Sequence, residues 1–197
     1  MKPLWLGLAL AFGATGAASA QTAPASPAPP PPATPAVAPA PAPQPAPRPA
    51  DVASPDAVIA ALYQVISGDA GVARDWDRFR SLFHPSARMI PTGANRAGVV
   101  GARAITPEDY IRTSGPVLVE RGFHERELAR RTEAFGPLLH AWSTYDSKTR
   151  VTDPAPFARG VNSIQLFNDG QRWWVLTVAW AGETPAAPLP PAYLPRP

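Results

Sequence analysis

Between Val161 and Trp180 the chain reads as two apolar runs around a polar tetrapeptide, Asn168-Asp169-Gly170-Gln171. Asp-Gly between alternating hydrophobics is the strongest short-range hairpin signal. The first run spans Val161 to Phe167 and the second Arg172 to Trp180. A two-residue type I′ loop at Asp169-Gly170 predicts Gln165 opposite Trp174, Ile164 opposite Val175 and Leu166 opposite Trp173. Side chains alternate between the faces of a strand. One face then carries Ser163, Gln165, Trp174, Leu176, Val178 and Trp180; the other carries Asn162, Ile164, Leu166, Trp173, Val175 and Thr177. Both faces are too apolar for open water, so both are expected to be covered.

Upstream the period changes. Ser54-Pro55-Asp56 reads as an N-cap, a first-turn proline and an early acid. Val58, Ile59, Leu62, Val65 and Ile66 form the stripe of a first helix that Gly68 ends. Trp76, Phe79, Leu82 and Phe83 recur at helical spacing from Asp75, and Pro85 is expected to stop that second helix, with His84 capping its last carbonyls. Ala87 to Ile90 reads as a short strand, with Val99 to Ile105 as its partner. Thr106-Pro107-Glu108-Asp109 opens a third helix in the manner of a capping box. The charged stretch Phe123 to Thr132 and the alternating stretch Leu138 to Tyr145 are expected to form a long hairpin about Phe135-Gly136-Pro137. Asp146 to Phe157 reads as an exposed loop.

Composition divides the 197 residues. Lys2, the apolar run Leu4 to Phe12 and Ala18-Ser19-Ala20 form the three parts of a secretory signal peptide over residues 1–20. The run is too short to span a bilayer. A periplasmic or secreted product with no membrane span after cleavage is expected. Much of the chain's total of 28 prolines lies in an Ala/Pro-rich arm, residues 21–53, read as a disordered linker, and in a Pro-rich tail, residues 185–197, read as disordered. Residues 54–184 are long enough for one domain with a core. The absence of cysteine excludes disulfides and thiol chemistry. The three histidines, His84, His124 and His140, have no metal-ligand spacing, so neither a metal nor a cofactor is expected. Acids interleave with Arg121, Arg126, Arg130 and Arg131, which argues against nucleic acid despite a net charge of +3.

The strings FHPSARMIP (Phe83 to Pro91), TPEDYI (Thr106 to Ile111), AWSTYDS (Ala141 to Ser147) and RGVNSIQLFNDGQRWWV (Arg159 to Val175) resemble the NTF2-like superfamily, especially its SnoaL-like bacterial members. The resemblance covers Ser54 to Glu183. It implies an α+β cone, a curved and mostly antiparallel sheet wrapped around three N-terminal helices, with a pocket in the cone and pairing of subunits through their sheets. Members include isomerases, dehydratases, epoxide hydrolases and proteins without catalysis, so the resemblance assigns no activity. Carboxylate-and-tyrosine chemistry of the ketosteroid-isomerase kind finds only Asp109 and Tyr110 in the matching helix. Those neighbours point about 100° apart, and Asp109 is already committed to capping.

Three functional readings follow. One is an exported domain that binds a small hydrophobic molecule or a partner and pairs as a homodimer through Ile164, Leu166, Trp173 and Val175. A second is an isomerase, dehydratase or hydrolase using acid–base groups in the cone. The third is a scaffold whose Ala/Pro arm positions it within an envelope complex. The ligand-binding candidates are Ser163, Gln165, Trp174 and Trp180 on the hairpin face assigned inward, with Tyr110 and Trp142 reaching the same space. No catalytic residue is assigned.

Overall fold

The computed structural model describes residues 44–95 and 97–195. The expected signal peptide and residues 21–43 of the arm lie outside the described residues. The arm's last residues do not match the disorder expected of them. Pro49–Val52 form a short helix, α1, which buries Val52 and Asp51. Asp51 takes two hydrogen bonds from the Arg78 guanidinium, at 2.7 and 2.8 Å. An ion pair with both side chains largely out of water fixes this segment to the domain, so the domain starts before Ser54.

The three expected helices are present. Helix α2 (Pro55–Ile66) opens with Ser54 accepting from the Ala57 amide, and buries Val58, Ile59, Leu62, Tyr63, Val65 and Ile66. Helix α3 (Trp76–Leu82) is capped by Asp75, which accepts from the Arg78 amide. It ends at Leu82, not Pro85, because Phe83 already turns extended and starts strand β1 (Phe83–Ala94). His84 therefore lies on a strand, where Nδ1 sits 2.8 Å from Ser86 Oγ, and it does not cap the helix. After a short strand β2 (Val100–Ala102), the capping box of Thr106 and Asp109 starts α4 (Pro107–Arg121).

Four long strands follow: β3 (His124–Phe135), β4 (Leu138–Lys148), β5 (Ala158–Asn168) and β6 (Trp173–Gly182). The order in the sheet is β2-β1-β6-β5-β4-β3, antiparallel throughout except for β1 beside β6. The helices cover one face, where Phe79, Leu82 and Ile59 meet Ile164, Leu166, Val175 and Val178 in a single core.

The final hairpin departs from its expected register in two places. Asn168 pairs with Trp173, which leaves a four-residue loop, Asp169 to Arg172, in place of two residues. Asp169 Oδ1 accepts from the amides of Gln171 and Arg172 and holds this wider turn. A bulge after Val175 then places Gln165 opposite Thr177 and Ile164 opposite Val178. The facing of β5 is consequently the reverse of that expected. Asn162, Ile164 and Leu166 point to the helices, whereas Ser163 and Gln165 point outward. Ile164, Leu166 and Val175 are fully buried within one chain, so they are not an exposed surface for pairing sheets.

The tail also departs from disorder. Pro191–Tyr193 form a 3₁₀ turn against the outer face of β3 and β4. Thr144 Oγ1 donates to the Tyr193 carbonyl at 2.6 Å, and the Tyr193 ring stands edge-on to Trp142.

Candidate acid–base site

The concave face of the sheet and the helices enclose a cavity of about 650 Å³. Its floor is apolar: Leu62 and Ile66 from α2, Phe79 from α3, Met89 from β1, and Val178 and Trp180 from β6. Its polar groups come from α4 on one side and from β3, β4 and β5 on the other. On β3 the residues in phase with Phe123 point inward, which brings in Glu125. Its register partner on β4 is Ser147, and Tyr145 lies two residues along. On β5 the inward residue is Asn162, paired with Ser143.

Glu125 is the chemical centre. Ser147 Oγ donates to its carboxylate at 2.9 Å. Burial pushes its carboxyl up from the ordinary 4.5 to about 7; the Ser147 hydroxyl and the nearby Asn162 side chain oppose that rise, and Asp146 adds a smaller upward push. Among the described residues no arginine pairs with it. Arg126 is spent on Asp146 and Arg130 on Glu127 and Asp56. A carboxyl balanced near neutrality gives or takes a proton at physiological pH.

Two phenols share the space. Tyr110 from α4 stacks on Phe79, and Tyr145 passes so close to Gly160 that a methyl there would lie 2.6 Å from its hydroxyl. Neither hydroxyl has a described protein partner. Among the described residues no fully enclosed side-chain polar atom lacks one either, so both hydroxyls open to the cavity. Burial, with the Glu125 charge adding to it, pushes Tyr145 up to about 12 and raises Tyr110 further. Both remain neutral hydrogen-bond donors. Thr113, Val117 and Arg121 continue along α4 to the rim, where Phe157 is exposed.

Of the six ligand-binding candidates read from sequence, Tyr110 and Trp180 line this cavity. The other four lie elsewhere. Ser163 faces outward with its hydroxyl 2.9 Å from His140 Nε2, and Gln165 is exposed on the same face. Trp142 lies under the tail, and Trp174 packs outside, with Arg172 over its ring and its indole nitrogen donating to Asp169. The bulge after Val175 separates the hairpin candidates: Val178 and Trp180 beyond it turn inward, whereas Trp174 before it stays on the outer face with Ser163 and Gln165. Glu125 escaped the sequence reading because it sits in HERELARR, where alternating acids and arginines read as a solvated strand. A signal was present. Glu125 is in phase with Phe123, and the partner string AWSTYDS offers it a serine and a tyrosine in place of a cation.

No family profile matches the sequence, and no curated protein matches it. Solved structures resemble its fold. LinA shares 12% identity over 71% of this chain and 89% of its own, with a TM-score of 0.49. An NTF2-like protein from Cytophaga hutchinsonii shares 11% over 64% and 95%, with a TM-score of 0.44. An NTF2-like protein of unknown function from Shewanella baltica shares 12% over 66% and 98%, with a TM-score of 0.40. These likenesses concern the fold alone. The architecture itself is α+β, with helices over one face of a mixed six-stranded sheet that does not close.

Proposed function

We propose that this protein carries out acid–base chemistry on a small, mainly apolar molecule held in the cone, with Glu125 as the proton-transferring group. The observation that carries this reading is a carboxyl raised to about 7 inside a cavity that also presents two neutral phenols. Glu125 takes a proton from a carbon next to a carbonyl. The C–H electron pair moves into the adjacent carbon–carbon bond, and negative charge develops on the carbonyl oxygen. Tyr110 and Tyr145 donate to that oxygen. Where a carbon–carbon double bond is conjugated with the enolate, return of the proton to its far carbon completes an isomerisation; where a β-hydroxyl is present, the C–O bond breaks, the hydroxyl takes the proton from Glu125 and it leaves as water, completing a dehydration. Neither outcome needs an oxidant or a second reactant. The reading includes export, which Lys2, the apolar run and Ala18-Ser19-Ala20 support; N-terminal sequencing of the mature product at Gln21 tests it.

The test of the chemistry uses 5-nitrobenzisoxazole, an apolar bicycle whose acidic carbon-bound proton any desolvated base removes as its N–O bond opens. The full chain is expected to accelerate this reaction with a rate that rises through about pH 7. Glu125→Gln is expected to lower the rate by on the order of 10²-fold or more. Equal rates for the wild type and Glu125→Gln would overturn the proposal.

A further inference from the structure

A chain of hydrogen bonds runs from the protein surface to the side of Glu125, and its direction is fixed. Arg130 donates to both carboxylate oxygens of Glu127, at 2.7 and 2.6 Å, and also pairs with Asp56. With a guanidinium hydrogen on each of its oxygens, Glu127 serves this chain as an acceptor. Ser143 Oγ donates to Glu127 Oε1. A hydroxyl has one proton, so Ser143 can then only accept from Tyr63, whose oxygen lies 2.6 Å away. Tyr63 has spent its own proton in turn. It accepts from Asn162 Nδ2 at 3.0 Å. An amide nitrogen carries two hydrogens, and the second remains to be placed in the cavity. If Ser143 pointed the other way, Tyr63 would donate to the amide, and Asn162 would turn its oxygen toward the carboxylate.

From this polarity we infer that Glu127, Ser143 and Tyr63 act as positioning residues that hold the Asn162 amide with its nitrogen toward Glu125. The inference rests on the proposed role of Glu125: of the two amide hydrogens one goes to Tyr63, and the other is left to face the Glu125 carboxylate. Tyr63 is well suited to a fixed role, since burial holds its phenol protonated far above the usual range. The titratable and charged groups around Glu125 come from several elements: Tyr63 on α2, Tyr110 and Arg121 on α4, Glu127 on β3, and Tyr145 and Asp146 on β4. None of them needs to change for the orientation to hold.

The test reads the titration of Glu125 by carbon-13 NMR of its side-chain carboxyl in the full chain. Ser143→Ala frees the Tyr63 proton while leaving Tyr63, Asn162 and Ser147 in place. The Tyr63 hydroxyl is then expected to turn to the Asn162 oxygen and reverse the amide. Glu125 loses a donor beside it, and its midpoint is expected to rise by roughly half a pH unit or more. Tyr63→Phe, which removes the oxygen that accepts from Asn162, is expected to move the midpoint in the same direction, and a thermal melt of each variant confirms that it is folded. Ser143→Thr, which keeps the hydroxyl, is expected to restore the wild-type value. A midpoint near 7 in the wild type that neither Ser143→Ala nor Tyr63→Phe shifts would overturn the inference and leave the role of Glu125 standing. A wild-type midpoint near the ordinary 4.5 would instead remove the proposed function on which it rests.

Discussion

Ser147 Oγ lies 2.9 Å from Glu125 Oε2, across strands that pair these two residues directly. A hydroxyl stabilises a carboxylate far less than a guanidinium does. On β3, Arg126 and Arg130 face other acids and Arg131 lies over the Tyr193 ring, so Glu125 is left with hydroxyl and amide neighbours in a partly enclosed site. Burial with no such partner to offset it pushes Glu125 up to about 7, whereas the hydrogen-bonded Arg78 holds Asp51 below its ordinary value.

The raised carboxyl predicts a pH dependence of stability. The folded value of Glu125 lies above its unfolded value, so its contribution is fully present below about pH 4.5 and is lost as pH rises through about 7. The loss amounts to about 3 kcal/mol. Glu125→Gln cannot ionise and is expected to remove this component. Urea unfolding at about pH 5 and about pH 8 checks it: the variant should gain stability relative to wild type at the higher pH. An equal gain at both values would show that Glu125 does not titrate in that window.

The start of the domain gives a second prediction. A chain beginning at Gln44 keeps α1 and the Asp51–Arg78 pair, whereas one beginning at Ser54 leaves Arg78 without its carboxylate. Removing one partner of a largely buried pair costs about 3–5 kcal/mol. The shorter chain is expected to melt well below the longer one. Coincident melting would show that α1 contributes no stability.

A third prediction concerns Gly160. A methyl there would lie 2.3 Å from the Ala181 carbonyl and 2.6 Å from the Tyr145 hydroxyl. The carbonyl belongs to the backbone of β6 and has little freedom to retreat. Gly160→Ala is expected to destabilise the fold by about 1–3 kcal/mol and to displace Tyr145 within the cavity. Urea unfolding gives the first quantity and the ring resonances of Tyr145 the second.

The helices were legible because their signals are local. Ser54, and Thr106 with Asp109, carry their capping function in neighbouring residues, and each caps as its spacing implies. The long β3–β4 hairpin was legible for a similar reason, since Gly136 marks its turn. The pocket was not, because it depends on register. A bulge after Val175 has no marker in LTVAW, yet it turns Val178 and Trp180 inward while Trp174 stays outside with Ser163 and Gln165. Glu125 was hidden for another reason. Alternation places a charge on one side of a strand, but only the neighbouring strand decides whether that side meets water or a cavity.

The two phenols supply the last prediction, in which stability and chemistry separate. A buried hydroxyl that serves the fold leaves its partner unpaired when removed and costs about 1–3 kcal/mol. Tyr110 and Tyr145 have no described protein partner at their hydroxyls, and their rings supply the packing, with Tyr110 stacked on Phe79 and edge-on to Trp180. Phenylalanine keeps those ring contacts. Tyr110→Phe and Tyr145→Phe are therefore each expected to change unfolding free energy by less than about 1 kcal/mol. Turnover of 5-nitrobenzisoxazole develops negative charge on a phenolic oxygen. A positioned donor to such an oxygen contributes about 10²–10³-fold at most. Either variant is expected to lose rate while keeping the pH midpoint that Glu125 sets. A large loss of stability with an unchanged rate would make the tyrosines part of the core and leave Glu125 without a donor opposite it.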